Sequence, residues 1–146
     1  MKVYLDMCSI QRPLDTKSQP RIAVEAEAIL GVLTLCEAGH VELMTSDTLI
    51  FELGRNPNPV RKEYALKVLT KATVFIQIDN QIEERARALQ AEGIKPVDAL
   101  HLASAVAAKA DYFCTCDDRF LKRAKAVDTG PTKVVSPLEL ITEVTQ

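Results

Sequence analysis

Apolar and polar positions along the chain follow two alternating periods. Short runs of consecutive or alternating apolar residues predict five strands: Lys2-Val3-Tyr4-Leu5, Val41-Glu42-Leu43-Met44, Thr73 to Ile78, Asp111 to Cys116, and Lys133-Val134-Val135. Between them apolar residues recur at helical spacing. Ile22, Ala26, Ile29, Leu30, Leu33 and Cys36 form one stripe; Leu49, Ile50 and Leu53 form a second, expected to face inward. Val60, Tyr64, Ala65, Val68 and Leu69 make a third, and Ile82, Ala86 and Leu89 a fourth. The stretch from Pro96 through Ala110 is nearly all Ala, Leu and Val, which predicts a central, closely packed helix with Pro96 as its first residue. A basic helix from about Arg119 to Ala126 and a closing helix opened by Pro137 complete the pattern. Gly39, Gly54 and Gly93 read as helix stops, and Ser46 or Asp47, then Asp79 or Asn80, as caps. Turn formers from Arg12 to Pro20 predict a loop.

Strands separated by helices imply a mostly parallel central sheet with helices on its faces, joined by right-handed crossovers. With 146 residues, no repeat and no break in composition, the chain reads as one domain over residues 1–146. The net charge of -2 excludes a protein that holds nucleic acid by overall charge, so binding a phosphate polymer would need local basic patches or metal ions. No stretch approaches the roughly 18 apolar residues of a membrane helix, and the amino terminus reads directly into a strand, so a cytoplasmic location is expected. Cys8, Cys36, Cys114 and Cys116 are expected to be buried free thiols; Cys114 and Cys116 have the spacing to share a strand face but lack a partner pair for zinc.

Four acidic residues stand where a hydrophobic element gives way to a loop or helix start. Asp6 ends the first strand and Asp117 the fourth, so in one parallel sheet both emerge at the carboxyl edge, where open α/β folds place their ligands. Asp98 lies in the first turn of the apolar helix, where the helix dipole alone would favour an anion. Glu52 borders an apolar helix face, a position that also suits an ordinary solvated glutamate. Of Asp117 and Asp118, one is expected to cap the next helix and the other to face the cleft, Asp117 being preferred for chemistry. Converged carboxylates repel one another, and hard divalent cations such as Mg²⁺ or Mn²⁺ relieve this through oxygen ligation. His101, three residues after Asp98, is read as a packed or solvent-facing side chain. Arg55, Arg61 and Lys62, and Arg119, Lys122, Arg123 and Lys125, form basic clusters beside the acids, with Arg12 a third phosphate-contact candidate.

Taken in order, Val3-Tyr4-Leu5-Asp6, Ser46 to Leu53, Pro96 to Ala105 and Thr115-Cys116-Asp117-Asp118-Arg119-Phe120-Leu121 resemble the motifs of PIN-domain nucleases, the fold that includes the toxins of VapBC-type toxin–antitoxin pairs. The resemblance implies a three-layer α/β/α domain that cuts RNA to a 5′-phosphate and a 3′-hydroxyl. It assigns Asp6, Glu52, Asp98 and Asp117 to catalysis with Mg²⁺ or Mn²⁺. Asp6, Asp98 and Asp117 would be direct ligands, and Glu52 would act through water. Ser9, Arg12, Thr115 and Asp118 are candidates for supporting or substrate contacts. An antitoxin protein and a homodimer are the partners such an assignment implies. Two rivals stand beside it: a non-catalytic module binding RNA or a protein, and a haloacid-dehalogenase-type phosphatase, whose second opening Asp is replaced here by Cys8.

Overall fold

A computed structural model describes residues 1–146. In chain order the elements are β1 (Lys2–Leu5), α1 (Met7–Gln11), α2 (Pro20–Glu37), β2 (Glu42–Ser46), α3 (Asp47–Arg55), α4 (Pro59–Leu69), β3 (Val74–Ile76), α5 (Asn80–Ala91), α6 (Pro96–Ala107), β4 (Tyr112–Cys114), α7 (Asp118–Lys125), β5 (Lys133–Val135) and α8 (Pro137–Val144). The five strands form one wholly parallel sheet in the order β3-β2-β1-β4-β5. The arrangement is three-layer α/β/α, as the alternation of periods requires.

This order puts β1 in the middle. The chain runs outward through β2 and β3, then returns to the other side of β1 as β4, so the strand order reverses between β1 and β4. Helices leave the two sides of such a reversal in opposite directions and open a crevice above the carboxyl ends. Val3, Tyr4 and Leu5 of β1 are fully buried, as expected of a strand covered on both faces. Tyr4 stacks on Phe113 of β4, which meets Phe120 of α7 edge to face.

Caps fix where several helices start. Asp6 accepts from the Ser9 amide, Ser46 from Leu49, Asp79 from Ile82, and Ser136 and Glu139 form a capping box. The sequence pattern misplaced some details. The segment after Asp6 is not all loop: it makes α1 and then a 3₁₀ turn, Arg12–Leu14, because the Asp6 cap nucleates a helical turn too short for periodicity to reveal. Ile50 and Leu30, expected inward, are exposed, since the apolar stripe on each helix is wider than the face its neighbours cover. α3 passes Gly54 and ends at Arg55. No helix is long and apolar enough to cross a membrane.

Candidate active site

Each acid reaches the crevice for a local reason. Asp6 follows β1 and is held as the N-cap of α1, with its amide donating to the Cys114 carbonyl at 3.1 Å, so the β1–β4 ladder extends to the residue itself. Asp117 is the N-cap of α7 and accepts from the Phe120 amide at 3.1 Å. It therefore combines the two roles expected to be divided between Asp117 and Asp118. Asp118 is the next residue, 68% exposed, and pairs with Arg21. Asp98 sits in the first turn of α6, and Glu52 projects from α3. Asp6, Glu52, Asp98 and Asp117 line one cleft of about 120 Å³ with Met7, Cys8 and His101, and no Lys or Arg lines it.

Burial and mutual repulsion leave a clear electrostatic mark. Asp6 is 4% exposed, and burial raises its pKa against hydrogen bonds from Thr115, Cys8 and Ser9 that favour its charge. Burial, then the charges of Asp6, Asp117 and Glu52, push Asp98 up to about 6, although His101 acts in the opposite direction. A carboxyl whose folded pKa lies above its unfolded value stabilises the fold at low pH and loses that contribution as pH rises through the folded pKa. In EDTA the protein is therefore expected to melt at a lower temperature at pH 7 than at pH 5. Asp98→Asn or millimolar Mg²⁺ should flatten this dependence, and equal slopes in all three samples would refute the assigned electrostatics.

Two hydrogen-bond systems orient the acids. The Tyr4 hydroxyl lies 2.6 Å from both Ser46 Oγ and His101 Nδ1, while His101 Nε2 bonds Glu52 Oε1. Because the carboxylate can only accept, Nε2 carries the proton. In the neutral tautomer Nδ1 then accepts from Tyr4, which in turn accepts from Ser46. Burial pushes the Tyr4 phenol well up and keeps it a donor. His101, 1% exposed, takes the packed one of the two placements left open by the sequence, and it fixes Glu52 from a second helix. The sequence pattern places Tyr4 only as one residue of the first strand; its hydroxyl in a strand ending at an acid is the only hint of this role.

On the other side, Thr115 Oγ1 accepts from the Asp117 amide at 3.1 Å, and its hydroxyl favours the charged form of Asp6, so it serves both strand-end acids. Thr115→Val preserves shape but removes both contacts. It is expected to weaken affinity for a divalent cation about 10–100-fold with little loss of stability, measured by titrating Mn²⁺ against each protein and following thermal unfolding. Ser9 is fully buried, and its hydroxyl donates to the Cys114 carbonyl, so it braces the α1–β4 junction. Cys8 is an exposed residue whose thiol turns inward to Asp6 at 3.1 Å; Cys114 and Cys116 are buried, and Cys36 is partly exposed, all as free thiols.

Arg12 points elsewhere. It donates to Glu25 at 2.8 and 3.1 Å and to Asp15 at 2.9 Å, while Arg61 also binds Asp15 at 2.7 Å. Two cations expected at phosphates thus serve an ion network among helices. Arg123 donates to the Gly93 carbonyl, and Lys125 pairs with Glu139. Lys95 and Arg119 make no ion pair, and together with Arg123, Asp98 and Asp117 they line a hollow adjoining the acids. Lys95 lay in the helix-start sequence before Pro96 and belonged to no basic run, so it was missed.

The donor chemistry fits a hard divalent cation: the cleft offers carboxylate oxygens, one of them deeply buried, with no protein cation to neutralise them. In this geometry no three acidic, histidine or cysteine side chains close on one point as a finished coordination shell.

The sequence profile of the PIN domain matches residues 3–126. No curated protein matches the sequence. Among solved structures, the fold is similar to a chain of FitAcB from Neisseria gonorrhoeae, with TM-score 0.58, 15% identity, and coverage of 93% of this chain and 98% of that one. It is also similar to a chain of VapBC2 from Rickettsia felis bound to a promoter DNA fragment, with TM-score 0.56, 14% identity, and coverage of 93% and 98%. A chain of FitAB bound to the IR36 DNA fragment gives TM-score 0.57 and 16% identity, covering 92% of this chain and 94% of that one.

Proposed function

The chain belongs to the PIN-domain family, and on that premise we propose that it is a metal-dependent endoribonuclease that hydrolyses RNA phosphodiester bonds. The observation that carries this reading is the meeting of Asp6, Glu52, Asp98 and Asp117 in one cleft beside the unpaired cations Lys95 and Arg119. Asp6, Asp98 and Asp117 would hold Mg²⁺ or Mn²⁺, which when bound supplies Lewis acidity toward a phosphodiester and its water nucleophile.

The chain's own residues do the rest. Thr115, Ser9 and Cys8 hold the Asp6 carboxylate in one orientation. His101 anchors one oxygen of Glu52, leaving the other without a partner in the chain and free to accept a hydrogen bond from a water. Lys95 and Arg119 would bind the phosphate neighbouring the scissile one. The double variant Lys95→Ala/Arg119→Ala is expected to raise KM about tenfold and to flatten the dependence of log affinity on log salt by roughly 1.4. An unchanged salt slope would place the RNA elsewhere. The fold shared with FitAcB and VapBC2 chains supports a role as the toxin of a toxin–antitoxin pair, neutralised by an antitoxin.

The deciding experiment incubates single-stranded RNA with the purified chain in Mn²⁺, Mg²⁺ or EDTA. Cleavage to 5′-phosphate and 3′-hydroxyl ends with either cation, abolished by EDTA, is expected. RNA binding without cleavage under every condition would overturn the enzyme and favour a binding module.

A further inference from the structure

A second groove, of about 630 Å³, opens beside the acid cleft and shares Met7 and Glu52 with it. Its remaining walls are Gln11, Phe51, Arg55, Asn56, Pro57 and Val97. The continuity has a sequence basis. Met7 follows Asp6, Phe51 precedes Glu52 and Val97 precedes Asp98, so three elements that each place an acid in the cleft place the adjoining residue in the groove. Met7 and Gln11 are four residues apart on α1, as are Phe51 and Arg55 on α3, so each pair forms a row along one helix side.

Three observations give this groove a chemistry. Phe51 is 55% exposed, costly for a large aromatic ring, although the Arg55 guanidinium lies 5.4 Å from its centroid. Gln11 is 8% exposed, yet its Nε2 is buried without any hydrogen-bond partner, and its Oε1 has no partner within the chain either. Such an orphan amide nitrogen is expensive where it stands, and the end of the carboxamide that a ligand in the groove can reach is Oε1, which is not enclosed. Rotating the carboxamide by half a turn exchanges its donor and acceptor ends without moving the rest of the side chain. An aromatic platform, a planar cation and an amide able to offer either donor or acceptor form a set suited to an unstacked nucleobase.

We propose that this groove is a nucleobase subsite, in which the base of the nucleotide next to the scissile phosphate stacks on Phe51 and is hydrogen-bonded by Gln11. The inference rests on the ribonuclease reading and deepens it: the substrate is single-stranded RNA, because a base held in a duplex cannot reach the groove. Arg55, at the rim, lies against the base edge or its phosphate. Gln11 makes the subsite selective among bases, whereas Phe51 accepts any of them.

The test combines protein and substrate changes on a short RNA with one mapped cleavage position. Phe51→Ala is expected to raise KM about tenfold with kcat nearly unchanged, and Phe51→Trp to restore it. Removing the base beside the scissile phosphate should raise KM to the same extent for the wild type and cause no further change with Phe51→Ala. Gln11→Leu should alter base preference at that position alone. Additive effects of the abasic site and Phe51→Ala would overturn the subsite. So would an unchanged KM with Phe51→Ala accompanied by loss of a dimer or of binding to a protein partner, which would make the groove a protein interface. If wild-type protein cleaves no RNA at all, the ribonuclease reading itself fails, a result distinct from either. Far-ultraviolet circular dichroism keeps folding separate, since Phe51 is exposed.

Discussion

Asp6→Asn is expected to lower cleavage by about 10²–10³-fold while making the metal-free protein more stable, by about 1 kcal/mol. The two effects have one origin. Asp6 is a carboxylate at the end of the central strand, 4% exposed, whose charge is disfavoured by burial, a cost that the proposed cation would offset. Asparagine keeps the oxygen that accepts from the Ser9 amide and the Cys8 thiol, so the cap of α1 survives. The negative charge goes, and the second carboxylate oxygen becomes an amide NH₂. Cleavage in saturating Mn²⁺ and thermal unfolding in EDTA measure the two halves separately. Wild-type activity in the variant would remove Asp6 from the chemistry. A destabilised variant would mean that its charge serves the fold.

Arg12→Ala is expected to cost about 3–5 kcal/mol of stability, a fall in Tm of about 10 °C for a chain of this size. Glu25, whose side chain is 3% exposed, depends on Arg12 for its short bonds; Arg21 approaches it only at 3.6 Å. Truncation would strand a buried charge, and the loss is chiefly the cost of that stranding. The network runs from Asp118 on α7 through Arg21 and Glu25 on α2 to Arg12, Asp15 and Arg61 on α4. It fastens helices from both sides of the cleft. The double replacement Arg12→Met/Glu25→Leu should recover most of the lost stability, because two apolar side chains of similar length need no partner. Thermal denaturation of the three proteins decides the matter. An unchanged Tm together with a raised KM for RNA would return Arg12 to the phosphate-contact role suggested by its position after Asp6.

Much of this architecture was open to inspection in the one-dimensional pattern. Five β-rich runs separated by helical stripes dictate a parallel sheet, because parallel neighbours need crossovers. The strand-end positions of Asp6 and Asp117 place both at the same sheet edge whatever the strand order. Asp98 was legible as an anion at a helix start, and Thr115 as a residue two before Asp117 on an extended segment. Such features depend on period and adjacency, which the sequence carries locally.

What lay beyond it depends on contacts between residues far apart in the chain. Arg12 and Arg61 look like free cations until Glu25 and Asp15 are seen beside them. His101 has two roles because Tyr4 and Glu52, 97 and 49 residues away, meet opposite ring nitrogens. Glu52 reads as an ordinary helix glutamate, and only the packing of α3 near α6 turns it toward Asp98. Phe51 and Gln11 share a groove because α1 and α3 lie side by side. Hydrophobic periodicity determined which layers form and which end of the sheet would carry the acids. The reversal of strand order between β1 and β4, with the ion pairs and hydrogen bonds it permits, decided which polar side chains were spent on the fold and which were left facing the cleft.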